Sequence, residues 1–274
     1  MEITKTKEYT KIILPPCFEL SDTLECGQCF RFFKEQDGKY LIIAGGRFVR
    51  AKQEDGALYL FGDRDTEFWI KYFDLERDYQ SIYKKIKSNE ILSKSADAAK
   101  GIRILRQDFF ETLCCFIFSQ NNNIPRIKKI TAKFCECFGE ELSDGIYDFP
   151  TAARIAGCDI SELAPLRCGF RDKYILSAAR AVESGEVTAQ RLSALSYEEA
   201  RELLKTVKGV GNKVADCVLL YGCGRLESFP RDVWINRIMA EIMPDGLPSE
   251  LENVGGIAQQ YLFHYGRNLS AKSD

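Results

Sequence analysis

Through the first sixty residues the apolar positions come in short, partly alternating runs. They are T-K-I-I-L, C-F-R-F-F, K-Y-L-I-I-A, R-F-V-R-A-K and A-L-Y-L-F-G, rich in aromatic and β-branched side chains and separated by P-P, D-G-K, G-G and E-D-G. Period-two runs bounded by turn residues predict strands, and connections this short predict antiparallel pairing, because parallel crossovers need many more residues. From about residue 64 the period lengthens. D-T-E-F-W-I-K-Y-F, D-Y-Q-S-I-Y-K-K-I-K, D-F-F-E-T-L-C-C-F-I-F and I-P-R-I-K-K-I-T-A-K-F-C-E-C-F repeat at helical spacing. Pro125 suits a first helical turn, and Ser196-Tyr-Glu-Glu199 is a capping box opening the run to Val207. Further helices are expected near 212–222, 232–243 and 252–265. Strands followed by helices predict an α+β protein. An N-terminal antiparallel β-rich domain over 1–95, with flanking helices, precedes an all-helical domain over 96–274.

Between two of the predicted helices lies K208-G-V-G-N-K-V-A-D-C-V-L-L-Y-G-C-G224. Gly209 and Gly211 favour a tight turn, and the run from Val214 to Tyr221 reads as a buried helix. Lys213 then falls in the first turn of that helix, where a cation opposes the helix dipole. A helix–glycine turn–helix can offer the amides around Gly209, Val210 and Gly211 to one phosphate. An ordinary connection between packed helices accounts for the spacing equally well. Nineteen residues on, Asp232 in F-P-R-D-V-W-I-N-R stands where an N-cap belongs. A lysine amine is also a nucleophile toward an electrophilic carbon, and a carboxylate can stabilise positive charge developing on a sugar ring. Together, the two residues make a candidate site if the fold joins the two helix starts.

Composition narrows the alternatives. The 274 residues are 45% hydrophobic and 28% charged, which fits a globular chain with a sizeable core. No apolar run spans a bilayer, and the N-terminus lacks an apolar signal-like region, so the expectation is an intracellular protein without membrane association. Eleven cysteines read as free thiols. Cys26-Gly-Gln-Cys29 could bind zinc or act in redox chemistry, but no second C-x-x-C exists to complete a site. No cysteine follows Cys223, which excludes a C-terminal four-cysteine iron–sulfur cluster. His264 is the sole histidine, in an aromatic Y-L-F-H-Y context that suits a structural role. The net charge of −2 makes no global electrostatic case for nucleic acid, although a hairpin grip on one phosphate needs little net charge.

The segments G-V-G-N-K-V-A-D-C and F-P-R-D-V resemble the helix-hairpin-helix Gly/Pro-Asp signature of base-excision DNA glycosylases. C-G-Q-C-F-R-F, R-I-L-R-Q-D, F-S-Q-N-N-N-I-P-R-I, G-F-R-D-K-Y and G-I-A-Q-Q-Y-L-F narrow the resemblance to the 8-oxoguanine DNA glycosylase/AP lyases, over nearly the whole chain. The resemblance implies that Lys213 attacks the anomeric carbon, expels 8-oxoguanine as a Schiff base forms, and nicks the strand by β-elimination. Asp232 would support the oxocarbenium-like transition state. Gly27 would accept the N7 proton that guanine lacks, Cys217 and Phe263 would sandwich the purine, and Gln259 would read its Watson–Crick edge. Asn121 would fill the gap left by the extruded base, Phe170 would wedge beside it, and Arg126 and Arg171 would read the opposite cytosine. The implied partner is double-stranded DNA containing 8-oxoguanine, bound by a monomer with no metal or organic cofactor, in the cytoplasm or nucleoid of a bacterium or the nucleus of a eukaryote. Three positions depart from the family pattern: Phe170 replaces a tyrosine, Trp234 a phosphate-contacting histidine, and Pro125 precedes Arg126. Two other readings stay open, a glycosylase for formamidopyrimidines and a non-catalytic helix-hairpin-helix DNA-binding protein.

Overall fold

The computed structural model of the protein describes residues 1–270. Its strands are β1 (Ile3–Lys5), β2 (Tyr9–Ile13), β3 (Phe32–Lys34), β4 (Tyr40–Ala44), β5 (Arg47–Glu54) and β6 (Ala57–Phe61). They form one antiparallel sheet in the order β1-β2-β6-β5-β4-β3. Consecutive strands β3 to β6 pair as neighbours, as their short turns require. The alternation puts Ile12, Ile42, Val49, Leu58 and Leu60 on the buried face. There they meet Leu20 and Leu24 of α1 (Leu20–Glu25) and Trp69 of α2 (Thr66–Tyr72). Five strands lie where the pattern puts them. The edge strand β1 is exposed throughout and carries no apolar alternation to reveal it.

The rest of the chain is mostly helical: α3 (Tyr79–Lys87), α4 (Ser93–Ala98), α5 (Phe109–Phe118) and α6 (Ile124–Phe138), then a small hairpin of β7 (Glu141–Ser143) and β8 (Ile146–Tyr147). There follow α7 (Ala152–Ala156), α8 (Asp172–Glu183), α9 (Ala189–Ser193), α10 (Tyr197–Lys205), α11 (Asn212–Cys217), α12 (Val233–Ile242) and α13 (Gly255–Ser270). Helix α5 is the axis of this layer, buried at all ten positions. A helix buried on every side needs apolar residues around its whole circumference, and F-F-E-T-L-C-C-F-I-F is apolar apart from Glu111 and Thr112.

The packing of the helical layer begins before residue 95. Tyr79, Ile86, Leu92 and Ala96 belong to the helical core, and α4 packs on α13. The core under the sheet ends at Leu75, with only Leu105 returning to it. Helices α3 and α4 therefore pack with the second layer, because their apolar faces meet helices and not the sheet. Two buried polar residues join the layers. Arg103 donates to the carbonyls of Pro16, Cys17, Asp74 and Arg77. Gln28 donates to the carbonyls of Thr23 and Arg103 at 2.8 Å each, and its Oε1 accepts from Leu105 N at 2.8 Å. R-I-L-R-Q is thus a seam between the layers, and buried polar groups this fully paired fix a unique arrangement.

Candidate active site

One wall is the turn after α1. Cys26 caps that helix, with Sγ donating to Thr23 O at 3.3 Å, and Cys29 Sγ donates to Leu24 O at 3.6 Å. Burial pushes the Cys26 thiol up to about 12 and raises that of Cys29 as well. Such thiols are protonated, inert and turned into their own helix, unlike the thiolates that redox chemistry or zinc requires. Among the described residues no cluster of His, Cys, Asp or Glu suits a metal ion. Gly27 sits between the cysteines at φ +90°, a left-handed geometry that disfavours any side chain. The flanking carbonyls are occupied: Cys26 O accepts from Gln260 Nε2 at 3.2 Å, and Gln28 O from Gln107 Nε2 at 2.8 Å. Among the described residues no donor reaches Gly27 O. A Cβ on Gly27 would meet Phe263 Cε1 at 3.6 Å, so the turn faces α13.

The opposite wall is the helical hairpin. Ser196 and Glu199 form the capping box that opens α10. Asp216, buried in α11, accepts from Tyr197 Oη at 2.8 Å and Arg201 Nε at 2.7 Å, which ties α10 to α11. Burial raises the Asp216 carboxyl, while those two donors favour its anion. Gly209 has φ +89°, and a Cβ there would lie 2.2 Å from the Tyr174 ring. Lys213 Nζ donates to Ser119 Oγ at 3.1 Å and lies 4.8 Å from the centre of the Phe116 ring. One turn along, Cys217 is buried and its thiol is pushed up to about 11 by desolvation, which Lys213 opposes and Asp232 reinforces. Asp232 caps α12, accepting from Ile235 N at 2.7 Å. Lys213 and Asp232 therefore both act on the Cys217 thiol, although among the described residues no ion pair joins them directly.

Helix α13 supplies the floor. Gln259 is buried, and its Oε1 has no hydrogen-bond partner among the described residues. An unmet buried acceptor costs free energy, about 1–3 kcal/mol, unless something donates to it. Phe263, one turn on, is half-buried beneath Arg267 and packs edge-on against Trp234 with ring centres 6.4 Å apart. These elements offer the Gly27 carbonyl, the buried Cys217 thiol, the half-buried Phe263 ring and the unmet Gln259 Oε1, with Lys213 one turn before Cys217 on α11.

The two parts of the chain match known families in turn. Residues 11–113 match the 8-oxoguanine DNA glycosylase N-terminal domain, and residues 114–246 match the HhH-GPD superfamily of base excision DNA repair proteins. The chain belongs to the 8-oxoguanine DNA glycosylase family. The solved structure of MBOgg1 with a low-affinity DNA ligand is 40% identical and superposes with a TM-score of 0.91, over 98% of this chain and 99% of that one. The Clostridium acetobutylicum 8-oxoguanine glycosylase/lyase, solved with DNA containing cytosine opposite 8-oxoguanine, is 34% identical with a TM-score of 0.91 over the same shares. The Saccharomyces cerevisiae N-glycosylase/DNA lyase is 31% identical over 80% of this chain, which spans 66% of the length of that relative.

Several expected residues sit differently in the glycosylase than the sequence suggests. Val210 donates its amide to Val207 O at 3.0 Å and buries its side chain, so it anchors the hairpin and has no amide to spare. The first-turn amides of α11, at Asn212 and Lys213, lack a carbonyl one turn earlier. Arg171 is buried and donates to Cys168 O, Asn121 O and twice to Gln120 O. Its guanidinium holds the loop 119–123, and reading a base requires it to leave these carbonyls. Arg126 is exposed, and Asn121 is exposed with φ +47°. Phe170 is 45% exposed beneath the Arg171 guanidinium, 4.4 Å from its ring centre. Pro125 sits in the first turn of α6, a position that tolerates it. Trp234 does not face outward as a phosphate ligand: its ring lies on Gly266, where a Cβ would overlap it at 1.7 Å, and supports Phe263. Sequence reasoning overlooked Ser119, Gln120 and Gln260, all polar residues whose partners lie far away along the chain. Among the described residues no helix is long and apolar enough to cross a membrane.

Proposed function

We infer that Lys213 is the nucleophile of this bifunctional 8-oxoguanine DNA glycosylase/AP lyase. The observation that carries the reading is the position of Nζ in the first turn of α11, 3.1 Å from Ser119 Oγ and beside the Cys217 thiol. The target nucleotide has to leave the duplex to reach an amine held there. The amine forms a bond to the anomeric carbon as the glycosidic bond breaks, and the base departs with the bonding pair. Ring opening then gives a Schiff base, and loss of the 3′ phosphate by β-elimination nicks the strand. Asp232 bears the negative charge that favours positive charge developing on the sugar.

Recognition follows from the unmet groups. The free Gly27 carbonyl suits the N7–H of 8-oxoguanine, and guanine, with a lone pair there, would leave that carbonyl unpaired. The unmet Gln259 Oε1 suits a donor on the Watson–Crick edge. Asn121 and Phe170 fill and wedge the gap in the duplex, while Arg126, joined by Arg171 on release of the loop, reads the opposite cytosine. Gly209, Gly211 and the first-turn amides of α11 take a backbone phosphate. The chain acts as a monomer.

Borohydride trapping tests this on duplexes carrying 8-oxoguanine opposite each of the four bases. We expect a covalent adduct on damaged DNA, greatest opposite cytosine, and none with Lys213→Gln. An adduct from Lys213→Gln would remove Lys213 from the mechanism, and equal trapping opposite all bases would remove Arg126 and Arg171 from cytosine reading.

A further inference from the structure

We propose that Ser119 is a positioning residue that aims the lone pair of Lys213 at the anomeric carbon. The proposal rests on Lys213 being the nucleophile. Ser119 closes α5, its amide donating to Cys115 O at 3.0 Å, and α5 is buried along its whole length, so the residue stands on a rigid base. Its hydroxyl donates to Phe116 O at 2.7 Å. A serine hydroxyl has one proton and two lone pairs. With the proton committed to Phe116, only acceptor capacity faces Lys213, and Nζ lies 3.1 Å away.

This matters most once the amine is neutral. A neutral amine has two N–H bonds and one lone pair. Ser119 Oγ takes one N–H. The Phe116 face, 4.8 Å from Nζ, is electron-rich, attracting N–H and repelling a lone pair. The ring itself is fixed by stacking on Tyr221, with centres 5.4 Å apart and planes within 13°. With both N–H directions set, the lone pair is left in the remaining direction. Aligning reacting orbitals is a large part of catalytic rate, and small misplacements of a reacting group are costly.

Ser119 also begins the loop through Asn121 that enters the duplex. Gln120 Nε2 donates to Gly209 O at 2.9 Å, and Arg171 holds the Gln120 carbonyl from below. The hydroxyl is therefore fixed relative to the hairpin on which Lys213 stands, by bonds on both sides.

Three substitutions separate acceptance from packing. Ser119→Ala removes the oxygen, Ser119→Cys keeps the shape with a weak sulfur acceptor, and Ser119→Thr keeps the hydroxyl. Single-turnover Schiff-base formation is measured on a preformed abasic duplex, with affinity measured on an uncleavable abasic analogue and the unfolding midpoint recorded. The expected result is a maximal rate lowered about 10- to 100-fold in the Ala and Cys variants. Half-saturation and affinity stay unchanged, and the Thr variant stays within about threefold of the parent. A wild-type maximal rate in either the Ala or the Cys variant overturns the proposal. So does a rate loss in all three variants that tracks affinity or the unfolding midpoint, because a loosened loop then explains it. Lys213→Gln runs alongside: an adduct from that variant fails the nucleophile reading itself, whereas a dead Lys213→Gln with a fully active Ser119→Ala fails only the Ser119 role.

Discussion

The proposed active site draws on two glycine turns that look alike in sequence and sit in opposite surroundings. Both Gly27 and Gly209 are left-handed, at φ +90° and +89°. Around Gly209 the fold itself needs the missing side chain, since a Cβ would drive into the Tyr174 ring at 2.2 Å. Around Gly27 the nearest atoms would be Ile124 Cδ1 at 3.4 Å, then Arg267 Nη1 and Phe263 Cε1 at 3.6 Å, ordinary contact distances. The Gly27 carbonyl has no donor among the described residues. Packing demands one glycine, and on the proposed reading what binds demands the other. The distinction separates loss of the fold from loss of recognition.

The sharpest break in that comparison is Gly209→Ala. The left-handed conformation and the Tyr174 clash together predict destabilisation of about 2–4 kcal/mol. Urea unfolding checks this, and duplex affinity and both catalytic steps should fall together. Gly27→Ala should cost only about 1 kcal/mol of stability, from its backbone angle alone. Its larger effect is selective. Excision of 8-oxoguanine should fall about 100-fold through loss of the base contact, while β-elimination on a preformed abasic site, which has no base to read, stays within about threefold. Equal losses in both assays would show that Gly27 serves the turn and not the base.

The sequence alone distinguished these turns poorly. Both read as glycine beside a cysteine or lysine, and only the packing of Tyr174, thirty-five residues from Gly209, tells them apart. The five strands of the β3–β6 meander and β2, and the helices with strong periodicity, were legible because period and turn residues are local properties. Lys213 and Asp232 were legible as candidates for the same reason, one standing against a local preference and the other at a capping position. C-G-Q-C, by contrast, read locally as a zinc or redox motif, and Gly27 became a candidate only through the resemblance. The hydrogen bonds of Arg171 and Val210 were not legible, because their partners, the carbonyls of Gln120 and Val207, depend on how a loop closes. Nor was the packing of α3 and α4 legible, because amphipathic faces do not state what covers them. Ser119 was invisible as a functional group, since a serine ending a helix reads as a cap.

The buried thiols of Cys26 and Cys217 differ as well. Cys26 is pushed up to about 12 and Cys217 to about 11, both by burial, from an ordinary 9.0. A raised thiol means the folded state holds its proton more tightly than the unfolded chain. Its contribution is therefore complete below pH 9 and is lost as pH rises, up to about 12 for Cys26 and about 11 for Cys217. Each thiol should add a slope of about 1.4 kcal/mol per pH unit to alkaline unfolding within its window. Urea titrations at successive pH values should show Cys26→Ala flattening the slope over the wider range and Cys217→Ala over the narrower one. A slope unchanged by either substitution would mean that the thiols meet water in the folded state.

The smallest effect belongs to Gly211, and it tests whether the hairpin turn has a ligand-facing half of its own. Gly211 is exposed, its φ is −100°, and a Cβ there would meet nothing within 4 Å. Neither the fold nor the backbone angle requires glycine. Gly211→Ala should therefore leave stability within about 0.5 kcal/mol. If a phosphate is held against the amides opening α11, the added methyl intrudes on it. Affinity for an uncleavable abasic duplex should then fall, by about threefold to tenfold, while the maximal rate of Schiff-base formation holds. An unchanged affinity would make Gly211 a neutral connector and shift the phosphate grip onto Asn212 and Lys213 amides further into the helix. With Gly209→Ala losing stability and Gly211→Ala losing only affinity, the division seen between the two turns would recur within one of them, two residues apart.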